Sequence, residues 1–170
     1  MLFIRALMQS LPTMKNCSTN LILRRTFFGT FFKGWGGQRI IYPPAPEDIT
    51  TNNRLYPVYI SNRNELHDII LAKEPLILNF TYADPKSNRI SQSLFDILAD
   101  KNKYPLDFPV NLANIWADTP GGRELMLTYV VGKIPTLVLL KKQILVDSYV
   151  PNSDNFREQD LRAWLSQIKQ

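Results

Sequence analysis

Short apolar runs alternate with amphipathic segments over residues 58–170, and this alternation predicts the order of the secondary-structure elements. An almost wholly apolar run is typical of a strand that is buried on both faces of a sheet, and residues 76–80 are the clearest case. Lys141-Lys142-Gln143 separates the last two apolar runs, which predicts a hairpin. Strands are predicted at residues 58–60, 76–80, 112–116, 137–140 and 144–149.

Four other segments carry apolar residues at helical spacing, and capping residues and breakers predict their limits. Helices are predicted behind a cap at Ser61 or Asn62, over residues 88–100, from Gly121-Gly122 to about Tyr129, and behind a cap at Asp154 or Asn155. The early strand–helix–strand units require parallel pairing, whereas the final hairpin requires antiparallel pairing. We therefore expect an α/β protein with three layers, in which helices flank a mixed central sheet.

Composition and charge separate the N-terminal part from the rest of the chain. The 170 residues are 45% hydrophobic with a single cysteine, which fits one globular domain plus extra chain and excludes collagenous, largely disordered and disulfide-rich proteins. The formal charge of +5 arises in the N-terminal part, because six of the 20 basic residues precede Glu47, the first acidic residue. Residues 47–170 carry a charge of −1, which disfavours nucleic acid as a partner.

Residues 1–27 have the properties of a mitochondrial targeting presequence, because they are basic, rich in hydroxyl-bearing residues and free of acid. One apolar face of a predicted helix is formed by Phe3, Ile4, Leu7, Met8 and Leu11. Arg24-Arg25-Thr26 resembles the arginine-containing site at which matrix presequences are cut. A secretory signal and a disordered basic tail are the alternatives. We expect the protein in the mitochondrial matrix or on the matrix face of the inner membrane.

Residues 28–55 are predicted to link the presequence to a domain at residues 56–170. Pro43, Pro44 and Pro46 are typical of an extended linker. The aromatic stretch at residues 27–35 is interpreted as a spacer, with peripheral contact to a membrane surface as the alternative. No run of about 18 apolar residues occurs in the sequence, so no transmembrane helix is predicted.

Two stretches of the predicted domain resemble thioredoxin. Residues 76–100 are similar to the family's strand, active-site loop and following helix, and they align without gaps. Residues 129–136, Tyr-Val-Val-Gly-Lys-Ile-Pro-Thr, are similar to the family's signature that runs from a tyrosine to a cis-proline and threonine. Asp118 lies close to the family's acid after the central strand. The resemblance covers residues 58–170 and implies a thioredoxin-like fold with a cis Ile134–Pro135 bond.

The residues that carry thioredoxin chemistry are replaced. Pro85-Lys86-Ser87-Asn88 stands where the family has Cys-x-x-Cys, and it forms a degenerate active-site loop. Thiol–disulfide exchange needs an attacking thiolate and a resolving thiol, but the only cysteine, Cys17, lies in the predicted presequence. The family's buried acid corresponds to Asn79, and its aromatic residue before the first cysteine corresponds to Asp84. We therefore expect a redox-inactive protein that is not an enzyme.

Other catalytic chemistries find little support in the sequence. Ser87 is a candidate nucleophile only if His67, the single histidine, lies within hydrogen-bond reach. Asp96 and Asp100 are interpreted as a solvated helix face, and no cluster of ligands has the spacing of a metal site. Glutathione-dependent transfer is a weak third hypothesis, because the helical domain that such transferases carry is missing. No cofactor and no metal are expected.

What remains is binding. In the thioredoxin family, extended peptides pair with the backbone of the residue before the cis-proline, a form of strand addition that needs no thiol. The predicted peptide groove is bordered by Tyr82, Asp84, Pro85, Lys133, Ile134 and Pro135. The expected function is protein–protein binding with other mitochondrial proteins, as an assembly factor or scaffold for a mitochondrial complex. The alternatives are a groove that is vestigial, and a constitutive subunit of a large assembly such as the ribosome or a respiratory complex.

Overall fold

The computed structural model describes residues 39–169. The elements are β1 (Arg54–Ile60), α1 (Arg63–Ile70), β2 (Leu76–Thr81), α2 (Pro85–Ala99), β3 (Asn111–Trp116), α3 (Pro120–Thr128), β4 (Thr136–Lys141), β5 (Ile144–Tyr149) and α4 (Glu158–Ser166). This is the predicted order. The presequence at 1–27, its cleavage site at Arg24-Arg25 and the aromatic stretch at 27–35 lie outside the described residues.

The five strands form one mixed sheet in the order β1-β3-β2-β4-β5. β1 and β2 both pair with β3 in parallel, whereas β4 pairs antiparallel with β2 and β5. Lys142 and Gln143 connect β4 to β5 with φ angles of 48° and 70°, which is the left-handed geometry of a two-residue hairpin turn. The predicted combination of parallel units and a final hairpin is confirmed.

Two hydrophobic clusters lie on opposite faces of the sheet, because successive strand residues point to opposite sides. Ile77 packs with α2 and α4, while its neighbours Leu76 and Leu78 pack with α1 and α3. The helices bury Ile90 and Leu161 on the first face. The result is the predicted three-layer α/β architecture. Within residues 39–169, no helix has the length and apolar character needed to cross a membrane.

Two helices begin earlier than predicted. α2 starts at Pro85 rather than residue 88, because Asp84 accepts hydrogen bonds from the free backbone N–H groups of the first turn and proline is favoured at the first helical position. α3 starts at Pro120 behind a Thr119 cap, so Gly121-Gly122 lies inside its first turn. A Cβ on Gly122 would stand 1.9 Å from the Trp116 carbonyl oxygen, so only glycine fits there.

The predicted cap of α4 is wrong, whereas that of α1 is confirmed at Asn62. Asp154 and Asn155 do not cap α4, which begins behind Arg157 without a side-chain cap. Their backbone N–H groups instead donate to the side-chain oxygen of Asn152, which holds these residues in a turn. Glu158 and Asp160 place negative charge in the first turn of α4, where it interacts favourably with the helix dipole.

Much of the predicted linker packs against the domain, so the folded part begins before residue 56. We call residues 39–53 the strap. The strap lies along α2: the Arg39 carbonyl accepts a hydrogen bond from Asn88 in the first turn, and Thr51 and Asn53 donate to the Leu98 carbonyl in the last turn. These bonds satisfy a carbonyl that the helix end leaves free. β1 also begins four residues earlier than predicted, at Arg54.

Candidate functional site

The carboxyl ends of β1, β3 and β2 lie at the same end of the sheet, which is where ligands bind in open α/β sheets. β2 leads from this end into residues 82–84 and then into α2. β4 begins at the same end of the sheet, because it is antiparallel to β2. The segment after β2 and the segment before β4 are therefore neighbours, and they contain the predicted groove.

Tyr82 and Ile134 lie in segments that meet at this end of the sheet. The last pair of the register is Phe80 with Thr136, so Tyr82 follows β2 and Ile134 precedes β4 just beyond it. The Ile134–Pro135 peptide bond is cis, as the resemblance implies. Among the predicted groove residues, Tyr82, Asp84 and Ile134 are partly exposed, Pro85 and Lys133 are exposed, and Pro135 is buried.

The four residues predicted as a degenerate active-site loop form the first turn of α2. The Asp84 carboxylate accepts hydrogen bonds from the backbone N–H groups of Lys86 at 2.9 Å and Ser87 at 3.1 Å. Partial burial raises the pKa of Asp84, but the hydrogen bonds from Ser87 and Lys86 outweigh it and hold this pKa below its ordinary value. A charged cap, not a nucleophile, therefore occupies the start of the helix.

A small charged cluster borders this turn. Lys86 forms an ion pair with Asp154, which lies in the turn before α4. The hydrogen bond between them raises the pKa of Lys86 and lowers the pKa of Asp154, and Lys133 adds to the second effect. Both partners of the ion pair are exposed, so the pair contributes little to the stability of the fold. It places charged groups beside the predicted groove.

A buried polar cluster lies beneath the turn. Asn79 Nδ2 donates to Ser91 Oγ and to Asn114 Oδ1, each at 2.9 Å. Ser91 Oγ lies 3.4 Å from Thr81 Oγ1. Asn79 Oδ1 and Asn114 Nδ2 have no hydrogen-bond partner within the described part of the chain. Every member of this cluster is neutral, so the cluster has no group that can take up a proton near pH 7.

Ser87 and His67 are not brought together. Ser87 is buried on α2, which packs on one face of the sheet, whereas His67 is exposed on α1, which packs on the other. The sheet itself separates the two side chains. Within residues 39–169, no group of three or more histidine, cysteine or acidic side chains is arranged to hold a metal ion.

The strap adds an aromatic cluster at the same end of the sheet. Sequence reasoning missed this cluster. Tyr59 at the end of β1 stands in edge-to-face contact with Tyr42 and Trp116, with ring centroids 5.6 and 5.4 Å apart. The Tyr59 hydroxyl donates to the Ile41 carbonyl at 2.6 Å. Burial, with a contribution from Tyr42, raises the pKa of Tyr59 to about 12. The strap also contacts the first turn of α2, where the Asn88 side chain donates to the Arg39 carbonyl.

Comparisons with known proteins establish the fold. No family model and no curated protein matches the sequence. Thioredoxin O2 from Arabidopsis thaliana is 20% identical, with a TM-score of 0.52 over 69% of this chain and 96% of that chain. Mitochondrial thioredoxin 3 from Saccharomyces cerevisiae is 15% identical, with a TM-score of 0.51 over 68% and 95% of the two chains. Fasciola hepatica thioredoxin is 18% identical, with a TM-score of 0.51 over 68% and 99%.

The chain therefore has a thioredoxin-like fold, which confirms the predicted fold class. At this end of the sheet, residues 82–85 after β2 are neighbours of residues 133–135 before β4, and the Lys86–Asp154 ion pair lies beside the first turn of α2. The Asp84-Pro85 pair, an acidic cap followed by proline, is the sequence signal that would have placed the start of α2 correctly.

Proposed function

We propose that this protein is a redox-inactive member of the thioredoxin-like superfamily that binds other proteins in the mitochondrion, as an assembly factor or scaffold. One observation carries the proposal: the chain has a thioredoxin-like fold with a cis Ile134–Pro135 bond, while the family's reactive residues are replaced. The N-terminus of α2 holds Pro85, Lys86, Ser87 and Asn88 and is capped by Asp84. Beneath it, Asn79 is hydrogen-bonded to other neutral groups.

Peptide binding in the predicted groove requires hydrogen bonds from the backbone and does not require a thiol. Strand addition requires an accessible extended segment, and Lys133–Ile134 immediately precedes β4 without belonging to it. Tyr82 and Ile134 supply partly exposed apolar surface on either side, while Lys86, Lys133 and Asp154 supply charges at the rim. An extended segment with an apolar residue between polar neighbours fits this arrangement.

Localisation rests on the sequence alone. An acid-free leader that ends in Arg24-Arg25-Thr26 supports import into the matrix. N-terminal sequencing of the protein recovered from mitochondria should find a start near residue 27. Recovery of a chain that still begins at Met1 would contradict the presequence.

The binding role is tested by affinity purification of the tagged full chain from crosslinked mitochondria. We expect a discrete set of partners that is lost when Tyr82 and Ile134 are both changed to alanine. Leu71→Ala is the matched control, because Leu71 is 56% exposed and follows α1. It lies close to the start of β2, at the opposite end of the sheet from the groove. Retention of all partners by the double variant would place the interface elsewhere.

A constitutive subunit of a large assembly is the second candidate function, and sedimentation distinguishes the two. An assembly factor should co-sediment with its complex only in part, whereas a subunit should follow it quantitatively.

The redox-inactive assignment has its own test, an insulin-reduction assay of the full chain with dithiothreitol. The expected rate equals that of dithiothreitol alone, and a rate above it would overturn this part of the proposal.

A further inference from the structure

Exposed apolar side chains are concentrated on β5. Ile144 is 69% exposed, Val146 52% and Leu145 41%, and Val150 follows directly after the strand. Surface apolar residues that occur singly are ordinary, but several on one edge strand indicate an interaction surface. Ile144 follows Pro135 of the groove by nine residues, but it lies on the edge strand β5, whereas the groove residues precede β4.

β5 is also an edge strand with one side of its backbone free. It pairs with β4 alone, and no other described segment pairs with it. An edge strand presents unpaired N–H and C=O groups and is a template for strand addition. The register shift opposite Leu139 and Leu140 leaves Val146 as an extra residue, a bulge that limits continuous pairing to short stretches on either side. Side-chain contacts must therefore supply much of the affinity.

A pocket beside the bulge offers such a contact. Its volume is about 250 Å³, and Leu139, Val146 and Ile168 provide its apolar lining. It lies between β5 and the C-terminal end of α4. Neighbouring strands are about 4.8 Å apart, so a side chain on the α4-facing side of an added strand would lie over this pocket. Buried anchors of this kind dominate the energetics of interfaces.

The charges around the pocket define the partner. Lys141 and Lys169 contribute to its lining, and Lys142 lies at the tip of the hairpin. Among residues 39–169, no carboxylate lies within ion-pair distance of Lys141 or Lys142. The one acid of β5, Asp147, accepts a hydrogen bond from Trp164 Nε1 at 2.8 Å. The β5 strand of a second copy would bring only that occupied acid, so charge complementarity favours a different chain over pairing between two β5 edges.

We infer that the outer edge of β5 is a second interaction surface, which binds an extended segment of a partner protein. That segment carries a large apolar residue for the pocket and acidic residues for the lysines. It adds to the sheet as a sixth strand. This surface is separate from the groove of the proposed function, and its test does not depend on that function.

The test uses a labelled peptide, acetyl-Thr-Glu-Thr-Leu-Thr-Glu-Thr-amide, whose leucine and glutamates share one face of an extended strand. It is titrated with the full chain and followed by fluorescence anisotropy. We expect saturable binding that Val146→Asp weakens at least tenfold. Val58→Asp is the matched control, because Val58 has 63% exposure on the opposite edge strand, and it should change affinity less than twofold. Alanine at both Tyr82 and Ile134 should leave binding unchanged, which separates this surface from the groove.

Two altered peptides probe the mechanism. Methylation of alternate backbone nitrogens removes the donors of one peptide edge, and lysine in place of both glutamates reverses the charge; each change should weaken binding at least tenfold. The inference is overturned if no saturable binding is found up to millimolar peptide, if Val146→Asp binds normally, or if the methylated peptide binds as well. Self-association that Val146→Asp abolishes would assign the edge to a second copy instead. Ile144→Asp replaces Val146→Asp if the latter fails to fold.

Discussion

The two edges of the sheet differ in what covers them. At the β1 edge, the strap lies along α2, the Tyr59 hydroxyl is bonded to the Ile41 carbonyl, and Pro57 has no N–H group to offer to another strand. At the β5 edge, the described chain provides no cover, and Ile144 and Val146 face solvent. Within residues 39–169, the strap thus contacts β1 at Tyr59, on the side that we call the covered edge, although Val58 of that strand stays 63% exposed. No segment of the same range pairs with the outer side of β5, which is the edge that we propose for a partner.

The largest effect is expected at the covered edge, where Asn53→Ala removes two buried hydrogen bonds. Asn53 donates to the Leu98 carbonyl and accepts from the Val110 N–H, each at 2.8 Å. The Val110 N–H would lose its partner away from water, whereas the Leu98 carbonyl would keep the Thr51 hydroxyl as a donor, so the free energy of unfolding should fall by about 2 kcal/mol in urea denaturation. Asn52→Ala, at an exposed neighbour, is the control and should change it by less than about 0.5 kcal/mol. Equal effects would mean that the strap does not depend on this bond pair.

A smaller effect is expected where β5 is tied to α4. Trp164→Phe removes the hydrogen bond to Asp147 and alters the stacking on Tyr149, whose ring centroid lies 5.5 Å away. Because Asp147 is exposed, water can replace the lost donor, and the loss in unfolding free energy should be about 1 kcal/mol. Asp147→Asn keeps an acceptor and should cost less. A loss as large as that of Asn53→Ala would mean that the two edges are equally integrated.

The open edge itself should contribute almost nothing to stability. Ile144→Thr shortens an apolar side chain that is largely in solvent, so thermal and urea unfolding should shift by less than about 0.5 kcal/mol. The same substitution should weaken binding of the acidic peptide, since it removes apolar surface next to the pocket. A loss of stability above 1 kcal/mol would show that Ile144 is covered in the free chain.

The sequence predicted the sheet better than it predicted the edges, because strands and helices leave local signals. Residues 76–80 are apolar except for Asn79, and the structure buries every residue of Leu76–Thr81. The strap leaves no such signal. Its bonds join Thr51 and Asn53 to the carbonyl of Leu98, more than 40 positions away, and its prolines suggested a linker. Composition describes how a segment behaves alone, not what it contacts.

The candidate site shows the same division. The predicted order of strands already puts the segment after β2, with Tyr82, at the same end of the sheet as the segment before β4, with Ile134. The partnership of Lys86 with Asp154 was not predictable, because the two residues are 68 positions apart and meet only in the folded chain. The peptide groove stays a prediction, while the ion pair beside it became visible only with the tertiary structure.

The last expected effect distinguishes, by pH dependence, the hydrogen bonds of Asn53 from the contact of Glu65 with Ser61 at the start of α1. The Ser61 N–H donates to the Glu65 carboxylate at 2.7 Å, and this bond, with others from Ser61 and Asn62, holds the pKa of Glu65 below its ordinary value of 4.5. A lowered pKa stabilises the folded state above the unfolded pKa, and this stabilisation is lost as the pH falls through the folded pKa. Glu65 is exposed, so Glu65→Gln should cost less than about 1 kcal/mol at pH 7, and the difference should vanish in urea titrations at lower pH. Asn53 has no titratable group, so the cost of Asn53→Ala should remain the same over that range. If both costs disappear together on acidification, the strap and the start of α1 unfold as one unit, and the covered edge depends on a single cooperative contact rather than on two.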